Sequence, residues 1–128
     1  MKRKWLTEIA ISTISYSDGG DRMLDKALIM AKGRNRRFPD GNSPYEIMTR
    51  LLEECGEVAA EVNHFENSGT KRLRNGEPSK EKLAGEVRDV LNAVMQLIIY
   101  YGVEEEVNQA IETSISRLTA EGHITSTN

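Results

Sequence analysis

Two segments of the chain each combine an apolar stripe at spacings of three and four with a row of carboxylates along its flank. This pairing constrains the fold more than any other feature of the sequence. The first stripe is Ile47, Leu51, Cys55, Val58, Val62 and Phe65; the second is Leu83, Val87, Val90, Val94, Leu97 and Tyr101. A 3.6-residue period of this kind specifies amphipathic helices that bury one face against a neighbour. The boundaries carry their own chemistry. Asp40-Gly41-Asn42 reads as a turn, and Ser43-Pro44-Tyr45-Glu46 places an N-cap serine, a proline at the first helical position and a capping-box glutamate. Asn67-Ser68-Gly69 supplies the stop, Pro78-Ser79 opens the second segment, and Gly102 closes it.

A further helix is expected over about 103–120, with Glu104, Glu105 and Glu106 in its first turn and Gly122 after it, followed by a frayed tail at 123–128. Upstream, Asp21 to Lys32 reads as a helix with Asp21 as cap, Leu24, Ala27, Leu28 and Ala31 on one face, and Gly33 as its end. Residues 1–20 are an ambiguous N-terminal segment. Trp5, Ile9 and Tyr16 fit a helical stripe, the β-branched run Ile11 to Ile14 also suits a strand, and Gly19-Gly20 interrupts either; the stretch is read as helix. The expected architecture is a single all-α domain over 1–128, an antiparallel bundle of four to five helices.

Composition narrows the function classes. A chain of 128 residues with a net charge of −3 is poorly suited to coating nucleic acid. The longest apolar run, Ala93 to Tyr101, is interrupted by Gln96 and is too short to span a bilayer, and Glu8 with its Ser and Thr neighbours breaks any leader-like stretch. Cys55, the single cysteine, has no internal partner for a disulfide. A cytoplasmic protein with no membrane and no nucleic-acid partner is expected.

Residues 46–66 hold six Glu and one Arg. At 100° per residue, Glu54, Glu57 and Glu61 share a narrow sector beside the first stripe, and Glu86 and Asp89 occupy the matching flank of the second, with Ala93 and Gln96 continuing that line. Packing the stripes together therefore brings both carboxylate rows to one cleft. Clustered carboxylates raise one another's pKa and call for protons, basic partners or a cation. An all-oxygen donor set favours Mg²⁺, with Mn²⁺ as the alternative, and Mg²⁺ sites commonly combine carboxylates with phosphate oxygens. The competing reading is a solvated acidic face on a helical bundle.

Glu53-Glu54-Cys55-Gly56-Glu57 followed by Glu86-Val87-Arg88-Asp89 resembles the EExxE and ExxD motifs of the MazG-like all-α nucleoside triphosphate pyrophosphohydrolases, over about residues 45–115. The resemblance implies that Glu54, Glu57, Glu86 and Asp89 hold Mg²⁺. It also implies cleavage of a nucleoside triphosphate to the monophosphate and pyrophosphate, in a homodimer or homotetramer. Glu53 or Glu61 is the expected proton acceptor for the attacking water. The family's last helix often carries a phosphate-contacting Lys followed by Asn, whereas this chain has Ser114 and Arg117 in the comparable stretch. Arg117 and the loop residues Lys71, Arg72 and Arg74 are the candidate phosphate contacts, the other reading of the loop residues being solvated charges, and Arg34, Arg36 and Arg37 face the same two readings.

Other residues read more plainly. Glu61 and His64 form one ExxH, half of a di-iron signature whose second half the sequence lacks. Cys55 is expected in the core. The functional alternative to the enzyme is a catalytically weak nucleotide-binding or partner-binding bundle.

Overall fold

A computed structural model describes residues 23–68, 70, 73 and 76–125. These residues form four helices, α1 (Met23–Arg37), α2 (Pro44–Phe65), α3 (Lys80–Tyr101) and α4 (Glu104–Ala120), with no strand among them. The helix ends follow from local chemistry. Ser43 Oγ accepts the Glu46 N–H at 3.3 Å with Pro44 in the first turn of α2, and Ser79 Oγ accepts the Lys82 N–H at 3.3 Å to start α3. Past α2, Asn67 takes a left-handed φ of 55°. Gly102 takes one of 63° at the end of α3, where the Val103 N–H reaches back to the Ile98 carbonyl at 3.2 Å.

α1 corrects one expectation. Gly33 does not end it; the helix runs on to Arg37. A mid-helix glycine costs only about 1 kcal/mol, and the last turn is held by contacts to α3: Arg34 to Asp89 at 3.4 Å, and Asn35, whose Oδ1 accepts from the Gln96 side chain at 2.8 Å. Arg34, Arg36 and Arg37 also stand at the negative end of the helix dipole.

α3 is the centre of the bundle, packing against α2 on one side and α1 on the other. The α2–α3 pair is antiparallel, since Arg50 meets Gln96 while Glu54 comes near Glu86 and Asp89. Ala27, Ala31, Met95 and Ile99 form the buried core between α1 and α3, with Leu28, Leu91 and Ile98 packed against it. The small residues Ala27 and Ala31 let α1 approach α3 closely. Ile47 and Ala93 are buried as well.

The apolar stripe of α2 is wider than the surface that covers it. Cys55, expected in the core, is exposed, as are Leu52 and Val62; the contact with α3 covers only part of the helix circumference. α4 has no buried residue at all, and Ile111, Ile115 and Leu118 are each at least 40% exposed. A cavity of about 430 Å³ lies where Val107 and Ile111 of α4 face Leu24, Leu28, Met95 and Ile98. The readings of residues 1–20 and of Asp21 as a cap fall outside the described residues, as do Lys71, Arg72 and Arg74. No helix among the described residues is long and apolar enough to cross a membrane.

Close packing at Ala31, which is fully buried, makes it intolerant of added volume. Ala31→Leu is expected to destabilise the fold by about 1–3 kcal/mol in urea unfolding, while Ala59→Leu on the exposed side of α2 should change stability by under about 0.5 kcal/mol.

Candidate metal centre

Glu54 from the middle of α2 and Glu86 and Asp89 from the first half of α3 converge. Each offers a carboxylate oxygen within 4.8 Å of the others, and all three residues are half-buried. The helical period explains why these positions meet. Glu86 and Asp89 are three residues apart and share a face of α3, and the antiparallel α2 brings Glu54 against that face.

The electrostatics are those of crowded like charges. The Glu54 carboxyl is held above the ordinary glutamate value, first by partial burial, then by repulsion from Asp89, Glu86, Glu53 and Glu57 in that order. Asp89 has compensation of its own. Its Oδ1 accepts from Arg88 Nε at 3.1 Å and from Arg34 Nη1 at 3.4 Å, and its Oδ2 accepts from Arg88 Nη2 at 3.3 Å. The Arg88 guanidinium is in turn held more firmly protonated by that hydrogen bond to Asp89.

Two guanidinium groups thus serve one carboxylate, while Glu54 and Glu86 add their charge to the same small volume. Three oxygen ligands at this spacing, with no sulfur or imidazole among them, suit a hard divalent cation such as Mg²⁺ or Mn²⁺.

The other sequence candidates are placed differently. Glu57 lies one turn along α2 from Glu54, is exposed, and stands outside the converging group while still repelling Glu54. Glu53 is exposed beside Glu54. Glu61 is two turns from Glu54 and buried. Its Oε2 lies 3.9 Å from Nδ1 of the buried His64, whose Nε2 is 2.7 Å from the Gly76 carbonyl. His64 therefore ties the end of α2 to the chain just before α3. Arg117 is exposed on α4.

Toward the C-terminal end of α3 lies a polar network that the motifs do not announce. Arg50 donates to Gln96 Oε1 at 3.0 Å, to Asn42 Oδ1 at 3.1 Å and to the Gly41 carbonyl at 2.8 Å. Gln96 Nε2 donates to Asn35 Oδ1 and, at 3.4 Å, to Asn42 Oδ1. The available sequence signals were modest: Arg50 is the one basic residue in an acidic stretch, and Gln96 continues the line through Glu86 and Asp89.

No protein-family profile matches the chain, and neither the curated proteins nor the solved structures yield a match. Among the described residues, fold and site together define a small all-α arrangement of four helices with a carboxylate group that could hold a metal ion.

The raised Glu54 pKa fixes the sign of a pH effect. As pH rises through the ordinary glutamate value of about 4.5, the unfolded chain releases this proton before the folded one does, so the group lowers stability through that window and the penalty persists above the folded value. Without metal, Glu54→Gln should melt above wild type at pH 7, with the gap closing as pH falls below about 4.5. Mg²⁺ should stabilise wild type by about 2.7 kcal/mol at a hundredfold excess over Kd and the variant much less. Thermal melts of both proteins in EDTA and in Mg²⁺ at matched ionic strength check this; equal Mg²⁺ shifts with no gain for the metal-free variant would identify a solvated acidic face.

Proposed function

We propose that the chain is a Mg²⁺-dependent nucleoside triphosphate pyrophosphohydrolase of the MazG-like all-α type, converting a nucleoside triphosphate and water to the monophosphate and pyrophosphate. The observation that carries the reading is the convergence of Glu54, Glu86 and Asp89, one residue from the EExxE-like segment and two from the ExxD-like segment. Two short acidic motifs remote in sequence supply a single group of oxygens.

In this reading Glu54, Glu86 and Asp89 would hold the ion, with Glu57, one turn away, the candidate fourth ligand. An ion held there would supply positive charge to offset the phosphates and to lower the pKa of a water. Glu53, exposed beside Glu54, accepts the proton released by the attacking water, with Glu61 the alternative acceptor. Arg34, only partly engaged by Asp89 at 3.4 Å, turns its guanidinium to a phosphate oxygen. Lys71, Arg72, Arg74 and Arg117 are the further candidates for phosphate contacts by their charge.

A second reading, a nucleotide-binding bundle with little turnover, is favoured by Asp89 already carrying two guanidinium partners, which compete with a cation for its oxygens. Release of pyrophosphate in Mg²⁺ selects the enzyme; Mg²⁺-dependent nucleotide binding without release selects the second reading. Glu54→Gln, Glu86→Gln and Asp89→Asn are each expected to lower turnover by about a hundredfold or more, which corresponds to roughly 2.7 kcal/mol of lost transition-state stabilisation. Glu104→Gln and Glu112→Gln on exposed α4 should change it less than twofold, about 0.4 kcal/mol. A common small loss across all five variants in a pyrophosphate-release assay would remove the site assignment.

We also infer a homo-oligomer, a dimer or tetramer. Support comes from α4, where Ile111, Ile115 and Leu118 are exposed, and from Met23 and Leu24, which are exposed at the start of α1. A 17-residue helix is only marginally stable without packing, so a second copy is the natural cover for this face, with residues 1–40 contributing to the contact. Light scattering at micromolar concentration should report at least twice the 14.4 kDa chain mass; a monomer would count directly against the assembly.

A further inference from the structure

We propose that the hollow of about 430 Å³ between the start of α1, the end of α3 and the first half of α4 is the docking site for this chain's own residues 9–16, with Ile11 and Ile14 entering it. The proposal goes beyond the catalytic reading and does not depend on it. Leu28, Met95, Ile98, Val107 and Ile111 give the hollow an apolar lining, and Leu24 stands at its edge, 49% exposed. Apolar surface gathered in one concave patch marks an interaction site.

The occupant follows from what the chain carries next to the hollow. Residues 1–22 lead into Met23, and Leu24 and Asp25 already line the cavity, so the preceding segment is tethered at its edge. Residues 17–22 can span up to about 20 Å and include Gly19-Gly20, a pair at which the chain can reverse. Upstream of them, residues 9–16 hold Ile9, Ile11, Ile14 and Tyr16 with no charged side chain. Ile11 and Ile14 are three apart and share a face in the helical reading of this stretch.

Charge argues against the alternative occupant, a second copy seated on the hollow through its own α4. Asp25, Glu104 and Glu105 stand around the hollow, and no basic residue is among the described residues that line it. A twofold contact centred there sets the same acids of both copies against each other, and like charges brought together cost stability. An uncharged segment meets no such repulsion. A short tether also holds it at an effective concentration on the order of millimolar, which a separate chain at micromolar concentration does not reach. Ile115 and Leu118 lie further along α4, outside the hollow, and remain available to the oligomer contact inferred above.

Hydrogen–deuterium exchange of the full chain tests the docking. Amides of residues 9–16 should exchange at least about tenfold more slowly in wild type than in Leu24→Asp or Ile111→Asp, which place a charge in the hollow from α1 and from α4. Those of α2 and the first half of α3 should stay protected in all three proteins. Variants on two separate helices keep a local effect on α4 from being mistaken for release of the segment. Free exchange of residues 9–16 in wild type, or protection that survives both substitutions, would overturn the proposal. Cross-linking with a short bismaleimide in a Cys55→Ser background then reads which chain supplies the segment. Ser15→Cys combined with Asn108→Cys, an exposed position lining the hollow, should give an intrachain product of single-chain mass. Chains carrying one of these cysteines each, unfolded and refolded together, should give no linked pair. A linked pair would assign the hollow to the segment of a second copy and overturn the proposal, as would the absence of the intrachain product. Pyrophosphate release stands or falls separately from each of these outcomes.

Discussion

Burying the Gln96 amide in the middle of a helical bundle obliges the protein to satisfy it, because an unmet buried amide costs on the order of 1–3 kcal/mol. Its carbonyl is met by Arg50 of α2 and its NH₂ by Asn35 of α1 and Asn42 of the intervening turn. These bonds close only when three helices hold one relative position. The same register brings Arg34 to Asp89 and sets α2 against α3 with Glu54 facing Glu86 and Asp89. A core made largely of alanine, methionine and isoleucine is tolerant of sliding and would not specify that register as sharply.

The carboxylate group then works against the fold that creates it. Partial burial and four neighbouring acids push the Glu54 proton affinity upward, and Asp89 is balanced only by drawing on Arg34 and Arg88. Such an arrangement disfavours the fold in the absence of a cation, and a divalent ion at the three carboxylates would relieve the repulsion.

Much of this was legible in the sequence where the cause is local. Ser43, Ser79 and Gly102 act at the helix ends where they stand, and the 3.6-residue period put Glu86 and Asp89 on one face of α3. What was not legible depends on partners far away in the chain. Gly33 looks like a terminus until Asp89 and Gln96 are seen to hold the residues after it, and Cys55 looks like a core residue until the limited width of the α2–α3 contact is known. Angular position alone could not separate Glu57 from Glu54, because only the height along α3 decides which carboxylate meets Glu86. The orientation of Asn35 depends on an arginine fifteen residues on, acting through a glutamine 61 residues away.

The left-handed Gly102 sets a two-residue corner between α3 and α4, and no residue of α4 is fully buried. The molecule consequently has two tiers of local stability. Amide hydrogens in α1, α2 and α3 are protected by opening events that must break the Gln96 network or the alanine-rich core, whereas those of α4 are protected by little beyond the helix's own hydrogen bonds. With no fully buried residue, its 17 residues are expected to open at lower free energy than the helices that carry the carboxylate group. Solvent exchange in that helix becomes a direct report on whatever the apolar face of α4 is resting against.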